Sequence, residues 1–314
     1  LAAPLRRDNL ASPLRVSFDS RMRDFARKAI PGMIANSGPQ LLIVAGAIVA
    51  SASPSAVAWL YFANRLIELP LGMVGVAVGT VLVPELSRAL ARNDTAALAN
   101  AESRGLELAA GLALPAALGL VVLSEPIVRV LFEHGAFTAA DTKATALALG
   151  NLALGLPAYV LLKTLSPAFF ARGNTMIPLL ATLKGIAVAI VLAVIFGRMF
   201  GIGGIAAAVA LGAWSNAASL ARSTAATFGF SMDAEARRRL PRIVLAALLM
   251  GGTLWLAVQL LPTMAGAHTI LQAARLAILI AFGIAVYGIC LLSFRVIDWR
   301  SMRTALMRSG DLRP

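Results

Sequence analysis

The chain has 314 residues and a net charge of +13, with 59% of its residues apolar and only 14% charged. A water-soluble domain carries about 25% charged residues, and a single soluble core of this size cannot bury so much apolar surface. The composition therefore argues against a soluble enzyme. The only cysteine, Cys290, excludes an intramolecular disulfide, and one cysteine with two histidines makes a structural zinc site implausible.

The hydropathy pattern predicts an all-α membrane protein, because about 20 mostly apolar residues in a row are long enough to cross the bilayer core as a helix. We expect eight transmembrane helices, at roughly 30–52, 56–83, 105–123, 144–170, 176–197, 201–221, 242–262 and 275–294. Turn signals separate several of them, at Ser51 to Ser55, Gly173 with Asn174, Gly201 to Gly204, and Pro262.

The stretch from Ser124 to Lys143, between the third and fourth spans, is amphipathic and is not expected to cross the membrane. Ser124 is followed by Pro126, and Thr138 is followed by Asp141 three residues on. Both patterns are typical of helix N-termini. The sequence therefore predicts that two helices begin within this stretch.

The positive residues are distributed unevenly along the chain. Cytoplasmic loops of membrane proteins are enriched in Lys and Arg. With both ends placed in the cytoplasm, 21 of the 28 positive residues fall in cytoplasmic segments, four fall on the opposite side, and three lie within spans. Topology and attraction to anionic lipid headgroups explain the basic loops, so no nucleic-acid partner is expected.

The start of the chain does not resemble a signal peptide. Residues 1–28 hold seven basic residues and no long apolar core. Because the chain opens with Leu1, we expect it to be a segment of a longer protein or a truncated sequence.

Arg65 in the second span is the main candidate for function. It lies near the predicted midplane, where an arginine usually faces a wet cavity or a charged partner. Glu68 follows three residues later on the same helix face. Two interpretations are open: Arg65 and Glu68 neutralise each other and help pack the helices, or Arg65 binds an anion in a hydrated cavity and Glu68 orients it. A guanidinium suits phosphate because it donates bidentate hydrogen bonds.

The other polar and small residues within the spans are less specific. Lys163 and Lys184 lie near span ends, so either could extend to the interface or line a cavity. Asn216 is typical of a hydrogen bond between helices, and Gly75 with Gly79 is typical of a close helix contact. No catalytic motif, metal site or cofactor is expected.

Interruptions by proline, at Pro70, Pro115, Pro157 and Pro167, favour a bundle that changes conformation. A static anchor has less need of such residues, since proline frees backbone groups that neighbours or water must satisfy.

Three blocks of the sequence resemble the MurJ (MviN) lipid II flippases, a family within the multidrug/oligosaccharidyl-lipid/polysaccharide exporter superfamily. The blocks are NRLIELPLGMVGVAVGTVLVPELSRAL from Asn64, PIVRVLFEHGAFTAADT from Pro126 and GLPAYVLLKTLSPAFFARGNTMIP from Gly155. They occur in matching order, and the resemblance extends over nearly the whole chain.

The resemblance implies a family with fourteen helices and a substrate cavity between two six-helix lobes. The eight spans would be helices seven to fourteen, and the N-terminal lobe would be absent. We accordingly expect a basic cytoplasmic segment, a six-helix C-terminal lobe, a cytoplasmic linker, two additional transmembrane helices and a basic cytoplasmic tail, at 1–28, 29–222, 223–241, 242–294 and 295–314.

The resemblance also implies which residues bind substrate. Arg65, Glu68, Lys163 and Asn216 match family positions, and Asn64 occupies the position before the cavity arginine. The family commonly has Asp where this chain has Asn64, and the change leaves Arg65 more dependent on Glu68. The outer loop also departs from the family, with Glu133 and His134 before Gly135. The fifth span has Lys184 but no carboxylate, so no acidic cation site is expected there.

The function implied is translocation of lipid II across the bacterial cytoplasmic membrane by alternating access, together with the N-terminal lobe and without enzymatic activity. Lipid II, membrane lipids and cell-wall synthesis proteins are the expected partners, and the last two spans would help accommodate the lipid tail. One alternative is an exporter of another polyprenyl-linked saccharide or of a drug in the same superfamily. The other is a non-transporting membrane scaffold for cell-wall synthesis.

Overall fold

The computed structural model describes residues 20–82, 84–85, 88–89, 92, 95–228, 234–261 and 269–296. Within these residues the protein is helical and contains no strand, which confirms the all-α prediction. The helices are α1 Ser20–Asn36, α2 Gly38–Ala50, α3 Pro54–Ala77, α4 Thr95–Phe132, α5 Ala139–Ala153, α6 Leu156–Ala171, α7 Met176–Phe228, α8 Ala234–Leu260 and α9 Thr269–Ser293. A π-helical segment, Val78–Leu82, continues α3.

Five of the described helices are long and apolar enough to cross a membrane, and the number rises to seven if each of two bent pairs counts as one span. Helices α1 and α2 meet at 61°, and α5 and α6 meet at 40°. Helix α7 has 53 residues, which would be about 80 Å if straight, against a hydrocarbon core about 30 Å thick. The expected total of eight spans stays a prediction.

Gly201 divides α7 into two halves. Its backbone has φ 58° and ψ −138°, a conformation that glycine adopts far more readily than residues with a Cβ atom. Gly173 likewise has φ 71°, between the end of α6 and the start of α7. Both lie where the sequence predicts turns.

The prolines expected to interrupt the spans do not end the helices. Pro70 lies inside α3, Pro115 inside α4 and Pro167 inside α6, while Pro157 lies in the first turn of α6. Helical structure therefore persists through three of these positions, and the clear break in a long helix falls at Gly201.

The predicted helix start at Ser124 is wrong. Helix α4 runs through Ser124 and Pro126 to Phe132. The Ser124 hydroxyl donates to the carbonyl of Val121 at 3.2 Å and so bonds to the preceding turn of its own helix, as serine does in helix interiors.

The predicted helix start at Thr138 is confirmed. The Thr138 hydroxyl accepts from the backbone N–H of Asp141 at 3.3 Å, and the Asp141 carboxylate accepts from the backbone N–H of Thr138 at 2.9 Å. This reciprocal capping box begins α5. The other carboxylate oxygen of Asp141 accepts a 2.8 Å hydrogen bond from the indole of Trp59 and thereby joins α5 to α3.

Helix α7 packs against α1, α2, α5 and α6. Small residues permit the closest approaches: a Cβ atom at Gly185 would be 2.8 Å from the backbone oxygen of Gly212, and one at Gly46 would be 2.6 Å from Val209. Small residues have this role in membrane helices, where close backbone packing replaces the hydrophobic effect as a source of association.

Helices α8 and α9 pack against α4 and against each other. Tyr287 on α9 donates a 2.8 Å hydrogen bond to the carbonyl of Gly111 on α4. Helix α7 continues to Phe228 and α8 begins at Ala234, so helical structure occupies much of the range 223–241 expected as a linker. The division into a six-helix lobe and two additional helices stays a prediction.

Candidate functional site

One face of α3 carries three polar side chains and two glycines of the second predicted span. Tyr61, Arg65, Glu68, Gly72 and Gly75 fall within an arc of about 80° at 3.6 residues per turn. We call these five residues the polar face of α3. Tyr61, Arg65 and Gly72 are exposed, and Glu68 and Gly75 are partly buried.

Arg65 is held by two neighbours on its own helix. Its Nε and Nη2 atoms donate to the hydroxyl of Tyr61 at 3.2 and 3.1 Å, and its Nη1 atom donates to Glu68 Oε2 at 2.8 Å. The guanidinium carbon also lies 5.2 Å from the centre of the Tyr61 ring. The spacings of four and three residues place these side chains one helical turn from Arg65.

Glu68 binds Asn64 as well as Arg65. The amide of Asn64 donates to Glu68 Oε1 at 2.9 Å, while Oε2 accepts from Arg65. Both carboxylate oxygens are therefore engaged, and the carboxylate orientation is set by two donors. The side chains of Arg65 and Glu68 nevertheless remain 58% and 40% exposed. The ion pair and an open guanidinium thus coexist, and the two interpretations of Arg65 are not mutually exclusive.

The exposure of this ion pair indicates whether it faces water or hydrocarbon. A charged side chain on a membrane-spanning helix usually faces a bundle interior or a water-filled cavity, because exposure to hydrocarbon is costly. The polar face of α3 is therefore suited to line a hydrated space. A guanidinium that retains exposed N–H groups can donate to an anion in that space.

Lys163 on α6 lies beside the same face. A Cβ atom at Gly75 would be only 3.0 Å from Lys163 Nζ, so the absence of a side chain at Gly75 leaves room for the ammonium group. Gly75 comes ten residues after Arg65, which is about 15 Å along the helix. Arg65 of α3 and Lys163 of α6 thus place two separate positive charges along one face of α3.

A cavity of about 190 Å³ surrounds the Lys163 side chain. Its walls come from α1, α2, α3 and α6, and its polar lining includes Asn36 and Ser166 beside Lys163. Lys163 is partly buried in this position. A cavity of this size holds several water molecules, so the surroundings of the ammonium group can be hydrated.

Asn216 lies between the two halves of α7. It is 1% exposed and its amide donates to the Thr182 hydroxyl at 3.3 Å, which joins these halves. The structure therefore brings Asn64, Arg65 and Glu68 together, places Lys163 farther along the same face, and gives Asn216 a hydrogen-bond partner within α7. The expected hydrogen bond between helices is confirmed for Asn216.

Among the described residues, the predicted close helix contact at Gly75 and Gly79 is found only at Gly75. Gly75 faces the end of the Lys163 side chain, and no atom of the described residues lies within 4 Å of a Cβ built at Gly79. The spacing of two glycines alone does not distinguish a helix contact from an opening, since both need a small residue.

Tyr61 is the residue at this site that the sequence analysis missed. Its position four residues before Arg65 was the available signal, because side chains at that spacing meet on a helix. Phe62, on the adjoining side of α3, contacts Phe132 and Phe137 with ring centres 4.9 and 5.7 Å apart. This aromatic cluster fixes the start of α3 against the segment between α4 and α5.

The described residues contain no group of three or more His, Cys, Asp or Glu side chains that could hold a metal ion. His134 contacts the carbonyl of Val130 through Nε2 at 3.2 Å. The chemistry available at the polar face of α3 is therefore that of a guanidinium, an ammonium group, a carboxylate, an amide and a phenol.

Comparison with known proteins gives a consistent result. The sequence model of the family described as "Lipid II flippase MurJ" matches residues 2–274. The chain is 39% identical over 261 residues to a probable lipid II flippase MurJ of Rhizobium meliloti (strain 1021), and the match covers 82% of this chain and 49% of that protein. The chain spans about half the length of the curated relatives it matches.

Solved structures resemble the fold. A structure described as lipid II flippase MurJ in an inward closed conformation superposes with a TM-score of 0.71 at 26% identity, covering 90% of this chain and 57% of the other. A MATE protein in a bent conformation gives a TM-score of 0.57 at 19% identity, covering 86% of this chain and 64% of the other. The second likeness concerns the fold alone.

Proposed function

The chain belongs to the lipid II flippase MurJ family, and on that premise we propose that it is part of a transporter that moves lipid II across the cytoplasmic membrane by alternating access. Lipid II is a polyprenyl-pyrophosphate-linked saccharide-peptide. Transport of this kind needs a polar surface within the membrane that accepts an anionic headgroup, and no bond of the substrate is broken. We therefore propose a transporter and not an enzyme.

The observation that carries the proposal is the exposed guanidinium of Arg65 on a membrane-spanning helix. Tyr61 and Glu68 hold it by hydrogen bonds of 2.8 to 3.2 Å. An ordered guanidinium loses less conformational entropy when it binds a phosphate than a free side chain would. In this proposal Arg65 donates to the pyrophosphate, and Glu68 with Asn64 keeps it oriented.

Lys163 is proposed as a second contact for the anionic headgroup. Its position beside Gly75, about 15 Å along α3 from the level of Arg65, allows one extended headgroup to engage both residues or to pass from one to the other. We propose that Asn216 supports substrate binding without touching the substrate. It would hold the halves of α7 together and so support the cavity wall.

The proposed transporting unit is larger than this chain. A second lobe would face the polar face of α3 and enclose the hydrated space, and membrane lipids would surround the apolar outer surfaces. Following the distribution of positive residues, we propose that both ends of the segment lie in the cytoplasm. Cell-wall synthesis proteins are further proposed partners through the basic loops.

The test is replacement of Arg65 by Ala in the full-length protein, expressed in a bacterial strain depleted of its own lipid II flippase. We expect loss of growth at wild-type expression levels, because the principal donor to the pyrophosphate is removed. Arg198→Ala is the matched control, since Arg198 is an exposed arginine on α7 outside the proposed site. Normal growth of the Arg65→Ala strain would refute the role of Arg65.

The charge of the site argues against one alternative, and the depleted strain tests the other. An exporter of cationic drugs would favour acidic cavity residues, whereas Arg65 and Lys163 are cationic. A scaffold would leave the distribution of labelled lipid II between leaflets unchanged on depletion, whereas a flippase would alter it. Lipid II exposure on the outer leaflet therefore decides between transport and scaffolding.

A further inference from the structure

A second cationic pocket lies between the two halves of α7. It has a volume of about 350 Å³ and is lined by Ile177, Leu180, Ala181, Lys184, Ser219, Arg222 and Ser223. We propose that this pocket binds a phosphate group, with an anionic lipid headgroup as its source. The proposal concerns a site distinct from the polar face of α3.

The two halves of α7 form this pocket by presenting matching faces. Residues Ile177, Leu180, Ala181 and Lys184 recur at helical spacing on the first half, and Ser219, Arg222 and Ser223 do so on the second. The halves make their closest approach at Gly185, where a Cβ atom would be 2.8 Å from the Gly212 carbonyl oxygen. The pocket opens about one turn beyond that crossing, where the helices diverge.

The charges in this pocket lack nearby counter-charges. None of the described residues lining it is acidic, and within the described part of the chain neither Lys184 nor Arg222 takes part in an ion pair. By contrast, Arg65, Arg129 and Arg239 are each paired with a glutamate. Two cations that converge on one pocket without a carboxylate favour an anionic ligand.

Ser219 gives an independent indication of a ligand. Its Oγ atom is buried and has no hydrogen-bond partner among the described residues. Buried hydroxyls are nearly always hydrogen-bonded, so an orphaned one calls for a missing partner. A phosphate oxygen held by Lys184 and Arg222 would supply an acceptor for this hydroxyl.

The depth of the pocket favours a lipid over a free anion. Each half of α7 has roughly 25 residues and spans about 38 Å, longer than a hydrocarbon core of about 30 Å. The pocket lies within the first turns of one half and the last turns of the other, and in a bilayer we expect these turns to lie toward the headgroup phosphates. Ile177 and Leu180 border the cations, and Leu180 is exposed, so an acyl chain could continue along the helix.

The test uses the full-length protein, purified in a neutral detergent, and three probes: a phosphatidylglycerol, a phosphatidylcholine and inorganic phosphate. We expect Lys184→Ala and Arg222→Ala each to weaken phosphatidylglycerol binding about tenfold, the loss expected for one charge-assisted hydrogen bond. Phosphatidylcholine should bind weakly to all variants, because its choline group opposes the cations. Lys143→Ala, which removes an exposed lysine on α5, is the matched control and should leave binding unchanged.

Ser219→Ala separates a binding effect from a folding defect. Because the hydroxyl is unpartnered without ligand, its removal should not lower the melting temperature, yet it should weaken phosphatidylglycerol binding several-fold. Equal affinities of the wild type and all pocket variants would overturn the site. Binding of inorganic phosphate alone, lost in the same variants, would overturn a lipid as the source of the phosphate.

Discussion

The ammonium group of Lys163 lies against Gly75, and a Cβ atom at Gly75 would be 3.0 Å from Lys163 Nζ. At this contact α6 and α3 approach each other through a charged side chain and a glycine, and not through apolar side chains. The contact places the cation beside the polar face of α3.

Replacement of Gly75 by Leu should displace the Lys163 side chain and fill part of the adjoining cavity. We expect reduced growth in the flippase-depleted strain at normal expression. Gly252→Leu on α8 is the matched control, because it lies outside the polar face of α3 and no atom of the described residues lies within 4 Å of a Cβ at Gly252. In a background without other cysteines, Lys163→Cys should react with a water-soluble thiol reagent, and Gly75→Leu should slow that reaction. If the cysteine of Lys163→Cys reacted at the same rate with and without Gly75→Leu, the prediction would be contradicted.

Exchange of the charges at Arg65 and Glu68 distinguishes an ion pair that only packs helices from one that presents an arginine to substrate. The double variant Arg65→Glu with Glu68→Arg retains an ion pair at the same spacing. We expect it to be expressed but inactive, because the cation has moved by almost a full turn. Normal growth of the strain with the double variant would mean that the ion pair only helps the helices to pack.

The Tyr61 hydroxyl should matter for the orientation of Arg65. Tyr61→Phe removes the acceptor of two hydrogen bonds from the guanidinium but keeps the ring. The guanidinium then has more freedom to turn away from the substrate, so we expect a partial loss of transport. The measurement is the rate at which lipid II reaches the outer leaflet, with Tyr61→Leu showing the additional effect of losing the ring. A wild-type rate for Tyr61→Phe would argue against positioning by Tyr61.

Gly185 should tolerate no larger side chain. A methyl group there would be 2.8 Å from the Gly212 carbonyl oxygen and from Asn216 Cβ. Overpacking of this kind costs about 1–3 kcal/mol, so Gly185→Ala should lower the melting temperature in detergent. Gly252→Ala, at a glycine with no atom of the described residues within 4 Å of its Cβ, should change it little. Equal melting temperatures would indicate that the halves of α7 can separate at this crossing.

The hydrogen bond between Trp59 and Asp141 should couple α3 to α5. In a double-mutant cycle with Trp59→Phe and Asp141→Ala, we expect the double variant to lose less stability than the sum of the two single losses. The measurement is the unfolding free energy of the four proteins in detergent. Additive effects of the two substitutions would show that the hydrogen bond contributes nothing to stability.

Local features were predictable because they depend on residues within one or two helical turns. The pairing of Arg65 with Glu68 follows from three-residue spacing, and the capping box at Thr138 follows from Asp141 three residues on. Ser124 shows the limit of this reasoning. The same kind of signal failed there, since a serine can bond to its own preceding turn while the helix continues through a proline.

Composition and periodicity alone determined that the chain is built of helices long and apolar enough to cross a membrane, and they predicted an arginine near the middle of one of them. Those properties arise from the fixed rise and turn of a helix and from the hydrocarbon thickness. Tertiary structure decided that Lys163 lies beside the face that carries Arg65, that Asn216 is buried between the halves of α7, and that Lys184 and Arg222 line one pocket. The physical reason is that these contacts join residues far apart in sequence, and the packing of small residues at helix crossings sets which faces meet.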